Sequence, residues 1–182
     1  VGSISLQATD NSTIRSETAA ASLAIGGGAV GVAISGAGAR ATNVILTNTI
    51  ADVTNAKLES KTNVNLTASS SSTVNSKVAA VAASMAAGDV GAGVAIGASV
   101  AENYIGYNAN GSAALSAIRA YVSGSEILAY GALNQTATST SNISSTVIAG
   151  AVAAAVGPAG AVAGAGAGVD TTNRIGQTIQ SY

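Results

Sequence analysis

The sequence predicts a mainly β chain: a parallel β-solenoid of about three units, each 60–70 residues long, with or without Ala/Gly-rich helical insertions in each unit. Three observations carry this. Similar segments recur three times along 182 residues, and internal repeats decide the architecture before any local pattern does. Short stretches alternate apolar and polar residues with the period of a strand. The apolar content is 48%, yet Phe and Trp are absent and Gly occurs 22 times. Such a chain must bury small side chains in closely stacked layers rather than around large anchors.

The repeat begins with "ISLQATDNSTIRS" at 4–16, "VNLTASSSSTVNS" at 64–76 and "LNQTATSTSNISS" at 133–145. These segments are rich in Thr, Val and Ile and alternate in polarity, which is strand chemistry. An Ala-rich arm follows in each unit. It reaches a Gly-rich break ("IGGGAVG" 25–31, "AGDVGAG" 87–93, "GPAGA" 157–161) and a second small-residue arm. The second arms alternate Val or Ile with Gly or Ala and read as strands, because that much Gly disfavours a helix by about 1 kcal/mol per residue. The first arms stay open: Ala in "VAAVAASMAA" favours helix by propensity, whereas stacked repeats would favour strand. Each unit is expected to bury its apolar face against its neighbours.

The second arms end in "ATNVI", "AENYI" and "TTNRI". Their Asn43, Asn103 and Asn173 are candidate corner residues, since Asn tolerates the left-handed region and bonds nearby backbone; stacked Asn also forms amide ladders. Gly31, Gly93, Gly97 and Gly160 are candidate packing glycines, placed where another backbone must come close. Short strand-like pieces at 49–53, 117–122 and 178–182 complete the units. The organisation is one continuous solenoid segment with units near 1–60, 61–130 and 131–182, the last truncated. The opening "VGSISLQAT" reads as the middle of a pattern, hence a piece of a longer chain. The segment "NANGSAAL" at 108–115 is an insertion in the second unit, expected on the surface.

The "VNLTASSSSTVNS" strand, the "GVAIGASVAENYI" arm and the linking "AKLESKTNVNLTA" at 56–68 together resemble the repeat regions of large secreted bacterial proteins. These are the filamentous-haemagglutinin-like and leukotoxin-type β-strand repeat adhesins. The resemblance spans almost the whole chain. It implies a parallel β-solenoid in an extracellular or cell-surface filament, and it carries over no catalytic or binding residue.

Composition narrows function. Net charge is −1, so no basic surface attracts nucleic acid. Without His or Cys, imidazole catalysis and thiolate metal sites are excluded. The eight carboxylates are dispersed, and no cofactor is expected; Asp10 and Asp52 are candidates for weak calcium binding. "GGGAVG" at 26–31 lacks the Lys and Ser/Thr of a phosphate loop. Val147–Val169 carries no charge over 23 residues, a nominal membrane length. However, Pro158 interrupts it, and the matching arms carry Glu17, Arg40, Lys77 and Asp89, so membrane contact is not the expectation.

The leading function is a non-catalytic structural repeat module of a filament or adhesin shaft. Its partners are neighbouring repeats of the same chain and further copies assembled into filaments, with host or surface glycans as a further class. The alternatives are a solenoid face that binds glycan or ice, suggested by "TNT" 47–49 and "TATST" 136–140, and a membrane-inserting glycine-rich hairpin.

Overall fold

The computed structural model describes residues 2–182. The chain winds through three coils. The first comprises β1 (Ile4–Asp10), β2 (Thr13–Gly27), β3 (Val30–Ile45), β4 (Thr49–Thr54) and β5 (Lys57–Ser60). The second comprises β6 (Val64–Ser70), β7 (Thr73–Ala87), β8 (Val90–Ile105), β9 (Ser116–Ser123) and β10 (Glu126–Ala129). The third comprises β11 (Leu133–Ser139), β12 (Asn142–Val156), β13 (Gly160–Ile175) and β14 (Gln177–Ser181). Each strand pairs with its counterpart one coil away, and all of these pairings are parallel. The result is a parallel β-solenoid whose strands stack into five sheets.

Register follows the repeat. Ile4, Val64 and Leu133 stand in one column, as do Thr13, Thr73 and Asn142. Residues 106–115 fall between β8 and β9, where Gly106 and Gly111 take φ of 74° and 78° and Tyr107 bridges Ala113. This extra loop changes the pairing offset from 60 (Ile45 with Ile105) to 69 (Thr49 with Ile118) without disturbing either sheet.

The Ala-rich first arms are the strands β2, β7 and β12, and no helix occurs among the described residues. Helical insertions are therefore ruled out as an element of this fold. Propensity loses because β7 is hydrogen-bonded along all 15 of its residues to β2 on one side and β12 on the other. A helix would surrender both ladders for a local preference of a few tenths of a kcal/mol per residue.

Each coil is flattened into two layers. The β2–β7–β12 sheet faces the β3–β8–β13 sheet and forms a long arm, with the chain reversing at its tip. The β1–β6–β11 sheet faces the β4–β9–β14 sheet and forms a base. The base is ordinary inside: Val64, Leu66, Ala68, Ala51, Val53, Ile118 and Ala120 make its core. Its β1–β6–β11 face shows water Ser5, Gln7 and Thr9, then Asn65, Thr67 and Ser69, then Asn134, Thr136 and Thr138.

The arm reverses this arrangement. Its inward residues are small: Ala80, Ala82, Ser84 and Ala86 on β7, and Gly91, Gly93, Ala95, Gly97 and Ser99 on β8. Its larger apolar residues point outward, among them Leu23 (70% exposed), Ile34 (72%), Val81, Met85, Ile96 and Val152. The expectation that every apolar face is buried thus fails in the arm. Beyond the Thr18–Val78–Val147 and Ala39–Ser99–Val169 columns at its foot, the layers approach so closely that nothing larger than Ala or Ser lies between them. A Cβ added to Gly93 would lie 2.8 Å from the carbonyl oxygen of Ala154.

Candidate functional site

Arm and base meet in a polar belt, and this belt is where the chain gathers its hydrogen-bonding chemistry. Its centre is a column of three asparagines. Asn43 Nδ2 donates to Asn103 Oδ1 at 2.8 Å, and Asn103 Nδ2 donates to Asn173 Oδ1 at 2.8 Å. Asn43 Nδ2 also reaches Ser16 Oγ across the layers at 2.9 Å, and Ser16 Oγ donates to Ser76 Oγ at 3.2 Å. Asn103 is wholly buried. These residues lie inside β3, β8 and β13 with side chains turned inward, so they are not corners. The chain turns instead at Asn55, with φ of 49°, and at Gly124, with φ of 57°. Asn and Gly at matching positions of two units are the usual sign of a left-handed corner, and the sequence carries that sign at 55 and 124.

A second polar centre, formed by residues far apart in sequence, surrounds Asp10. Its carboxylate accepts from Ser12, from Thr47 Oγ1 at 3.2 Å, from Ser70 Oγ at 3.2 Å and from Ser72 Oγ at 2.8 Å. In the third coil Gln177 takes up the equivalent role, bonded to Ser139 and Ser141. Partial burial pushes the Asp10 carboxyl upward, but the hydroxyl donors outweigh it and hold its pKa below the ordinary value. A depressed folded-state pKa gives stability that is present above the unfolded value and is lost as pH falls through the folded one. Asp10→Asn should therefore lower stability at pH 7 by about 1 kcal/mol and flatten the loss of stability below about pH 4. Urea midpoints measured from pH 7 to pH 3 check this; parallel curves for parent and variant would refute it.

Charged side chains mark the outer surface of the same belt. Arg40 donates to Glu102 Oε2 from Nη2 at 2.6 Å and from Nε at 3.2 Å, and Thr42 adds a hydroxyl at 2.9 Å. Arg40 and then Thr42 keep the Glu102 carboxyl below its usual range. On the opposite layer, Arg15, Glu17, Asn75, Lys77, Ser144 and Thr146 line a shallow polar groove of about 310 Å³.

The remaining sequence candidates separate cleanly. Gly31, Gly93 and Gly97 sit inward, where an added Cβ would run into the backbone of Ala87, Ala154 and Gly150 respectively. Gly160 lies at the arm tip, where a Cβ would meet nothing within 4 Å, so no close backbone approach demands glycine there. Thr47 of "TNT" is engaged by Asp10 and Thr49 is buried, so that run presents no binding row. Thr136 and Thr138 of "TATST" do face outward, in register with Thr67 and Ser69. The Asp10 oxygens are occupied by hydroxyl donors, and Asp52 accepts from Thr54 at 2.8 Å. Among the described residues no three metal-binding side chains converge.

The fold and this belt define the class: a parallel β-solenoid flattened into a blade, with registered polar ladders between coils. No known protein family, curated protein or solved structure matches the chain.

Proposed function

We propose that the chain is a structural repeat module of an extracellular or cell-surface bacterial filament or adhesin shaft, acting mechanically rather than catalytically. The observation that supports this reading best is the unbroken coil-to-coil register. Every strand of the second coil has a parallel partner, and most are paired on both sides. Amide and hydroxyl ladders run along the same axis. Such ladders resist slippage between coils, because a one-residue shift would take each inward set to the wrong face.

Two measurements test the shaft. Oriented assemblies should diffract strongly near ~4.8 Å along the axis, the spacing of paired strands. Deleting residues 64–132 removes one coil while joining columns that already match, since Val64 and Leu133 are register partners. The shortened chain should fold with its strand spectrum intact and lose about 4.8 Å of length by small-angle scattering. Collapse of that deletion variant, or an axial period other than the strand spacing, would sink the shaft.

A glycan-binding face is the second reading. The polar groove at Arg15, Glu17, Asn75 and Lys77 favours it, offering donors and acceptors suited to saccharide hydroxyls. Arg15→Ala with Lys77→Ala should abolish retention on immobilised polysaccharide if that reading holds.

A further inference from the structure

The arm is amphipathic in the opposite sense to its base, and its dimensions are those of a lipid bilayer. The charges that argued against membrane contact in the sequence do not lie within its apolar surface. Glu17 and Lys77 are register partners at the foot of one layer. Arg40 and Glu102 are ion-paired at the foot of the other. Asp89 sits in the turn at the tip. Between these limits the first coil runs uncharged from Thr18 to Gly27 and from Val30 to Ala39, and the third from Val147 to Val156 and from Gly160 to Val169. Ten extended residues span about 33 Å, against a hydrocarbon thickness of about 30 Å.

Within that band the outward positions hold only Ala, Gly, Val, Leu, Ile and Met. Its hydroxyls point the other way. Ser22 and Ser35 bond each other between the layers at 2.6 Å. Ser99 donates to the Ile148 carbonyl at 2.7 Å, and Ser84 is buried. Thr18 shares its column with the buried Val78. In the central coil, β7 and β8 are paired on both edges. That backbone pairing is the condition for leaving water; the outer edges of β2, β3, β12 and β13 meet it when a further coil or copy stacks on them.

We infer that the arm inserts into the hydrocarbon of a lipid bilayer, with the charged belt at the headgroups and the polar base outside. A second copy suits these surfaces less well. Apolar residues are exposed on both layers, and a copy packed on one face would leave the opposite face bare. Lipid covers both faces at once. No helix among the described residues is long and apolar enough to span a membrane; here strands do so.

The test uses the 182-residue chain and vesicles of palmitoyl-oleoyl phosphatidylcholine. The chain has no cysteine, so Ile25→Cys, Val94→Cys and Thr67→Cys each carry one environment-sensitive dye. With vesicles, the labels at 25 and 94 should shift to the blue and be quenched by brominated acyl chains, while the label at 67 stays water-like. The double variant Val81→Glu with Val94→Glu changes only outward positions. It should keep the strand spectrum and lose at least tenfold in vesicle partitioning. Unchanged emission at 25 and 94, or undiminished partitioning of a folded double variant, overturns the inference. A blue shift without vesicles that tracks protein concentration and a doubled mass also overturns it, in favour of a second copy. If the double variant fails to fold, lipid quenching of the two arm labels decides alone. The axial spacing that tests the shaft is independent of all these outcomes.

Discussion

Ala95→Glu should abolish cooperative folding of the arm, whereas Gly38→Ala, on the same sheet, should leave stability unchanged or slightly raised. Ala95 is wholly buried between the two layers of the arm. Its neighbours on the inward face, Gly93 and Gly97, are packed against the backbone of Ala154 and Gly150. A carboxylate placed there has no cation to meet and no room to reach water. The cost of an unpaired buried charge exceeds about 4 kcal/mol, a large part of a typical domain's stability. Gly97→Ala adds only a methyl group, but it collides with the Gly150 carbonyl and should cost about 1–3 kcal/mol. Gly38 points outward, and a Cβ there meets nothing within 4 Å; Ala in that extended position relieves the entropic penalty of glycine by up to ~1 kcal/mol. Circular dichroism and urea midpoints for the three variants separate the two faces. A soluble Ala95→Glu protein with an unchanged midpoint would mean the layers are not in contact, and the arm would have to be redrawn.

The unit starts were legible in the sequence. "ISLQAT", "VNLTAS" and "LNQTAT" are the very columns that pair. Period two identified the second arms as strands because Gly alternating with Val cannot compete as helix. The first arms were not decidable, because Ala carries helix propensity in itself while strand pairing is supplied by chains 60 and 69 residues away. The sense of the arm was hidden for a different reason. Alternation separates a strand into two sets without saying which faces in. In "VGVAIS" the set Val30, Val32 and Ile34 looks like the core, yet Gly31, Ala33 and Ser35 occupy it. The deciding quantity is the gap between layers, a property of the pair of sheets rather than of either strand. The asparagines were misplaced by a local habit: Asn is common at turns. Ala41, Asn43 and Ile45 already alternate with Thr42 and Val44, and that pattern puts Asn43 on the buried side. Asp10 stood out only as a carboxylate suited to calcium; its hydroxyl cluster was hidden, because Thr47, Ser70 and Ser72 are scattered in sequence and converge only through winding.

Asn103→Ala should be the most damaging polar substitution in the chain, and more damaging than Asn43→Ala. Asn103 is the middle rung of the amide column, completely buried, and it both accepts from Asn43 and donates to Asn173. Its loss strands the Asn173 oxygen without its donor, weakens the hold on Asn43 and opens a cavity beside Ile45, Val74 and Ile105, the adjoining apolar cluster. One buried and one partly buried hydrogen bond, together with the cavity, cost about 2–4 kcal/mol. Asn43→Ala interrupts the column at its end, so Asn103 keeps Asn173 and the loss should be nearer 1–2 kcal/mol. Asn103→Asp is the sharper probe, because it keeps the shape and the acceptor but removes the donor to Asn173. Its carboxyl, buried and facing the Asn173 oxygen, is driven toward the protonated form. Its folded-state pKa is therefore raised, so Asn103→Asp should be most stable below the unfolded carboxylate value near 4 and lose stability as pH rises from there through the higher folded-state value. That is opposite in sign to the behaviour expected at Asp10. Melting temperatures from pH 3 to pH 7 for Asn103→Asp and Asp10→Asn should diverge in slope. Two parallel profiles would show that the column is wet, and it could not then set the register between coils.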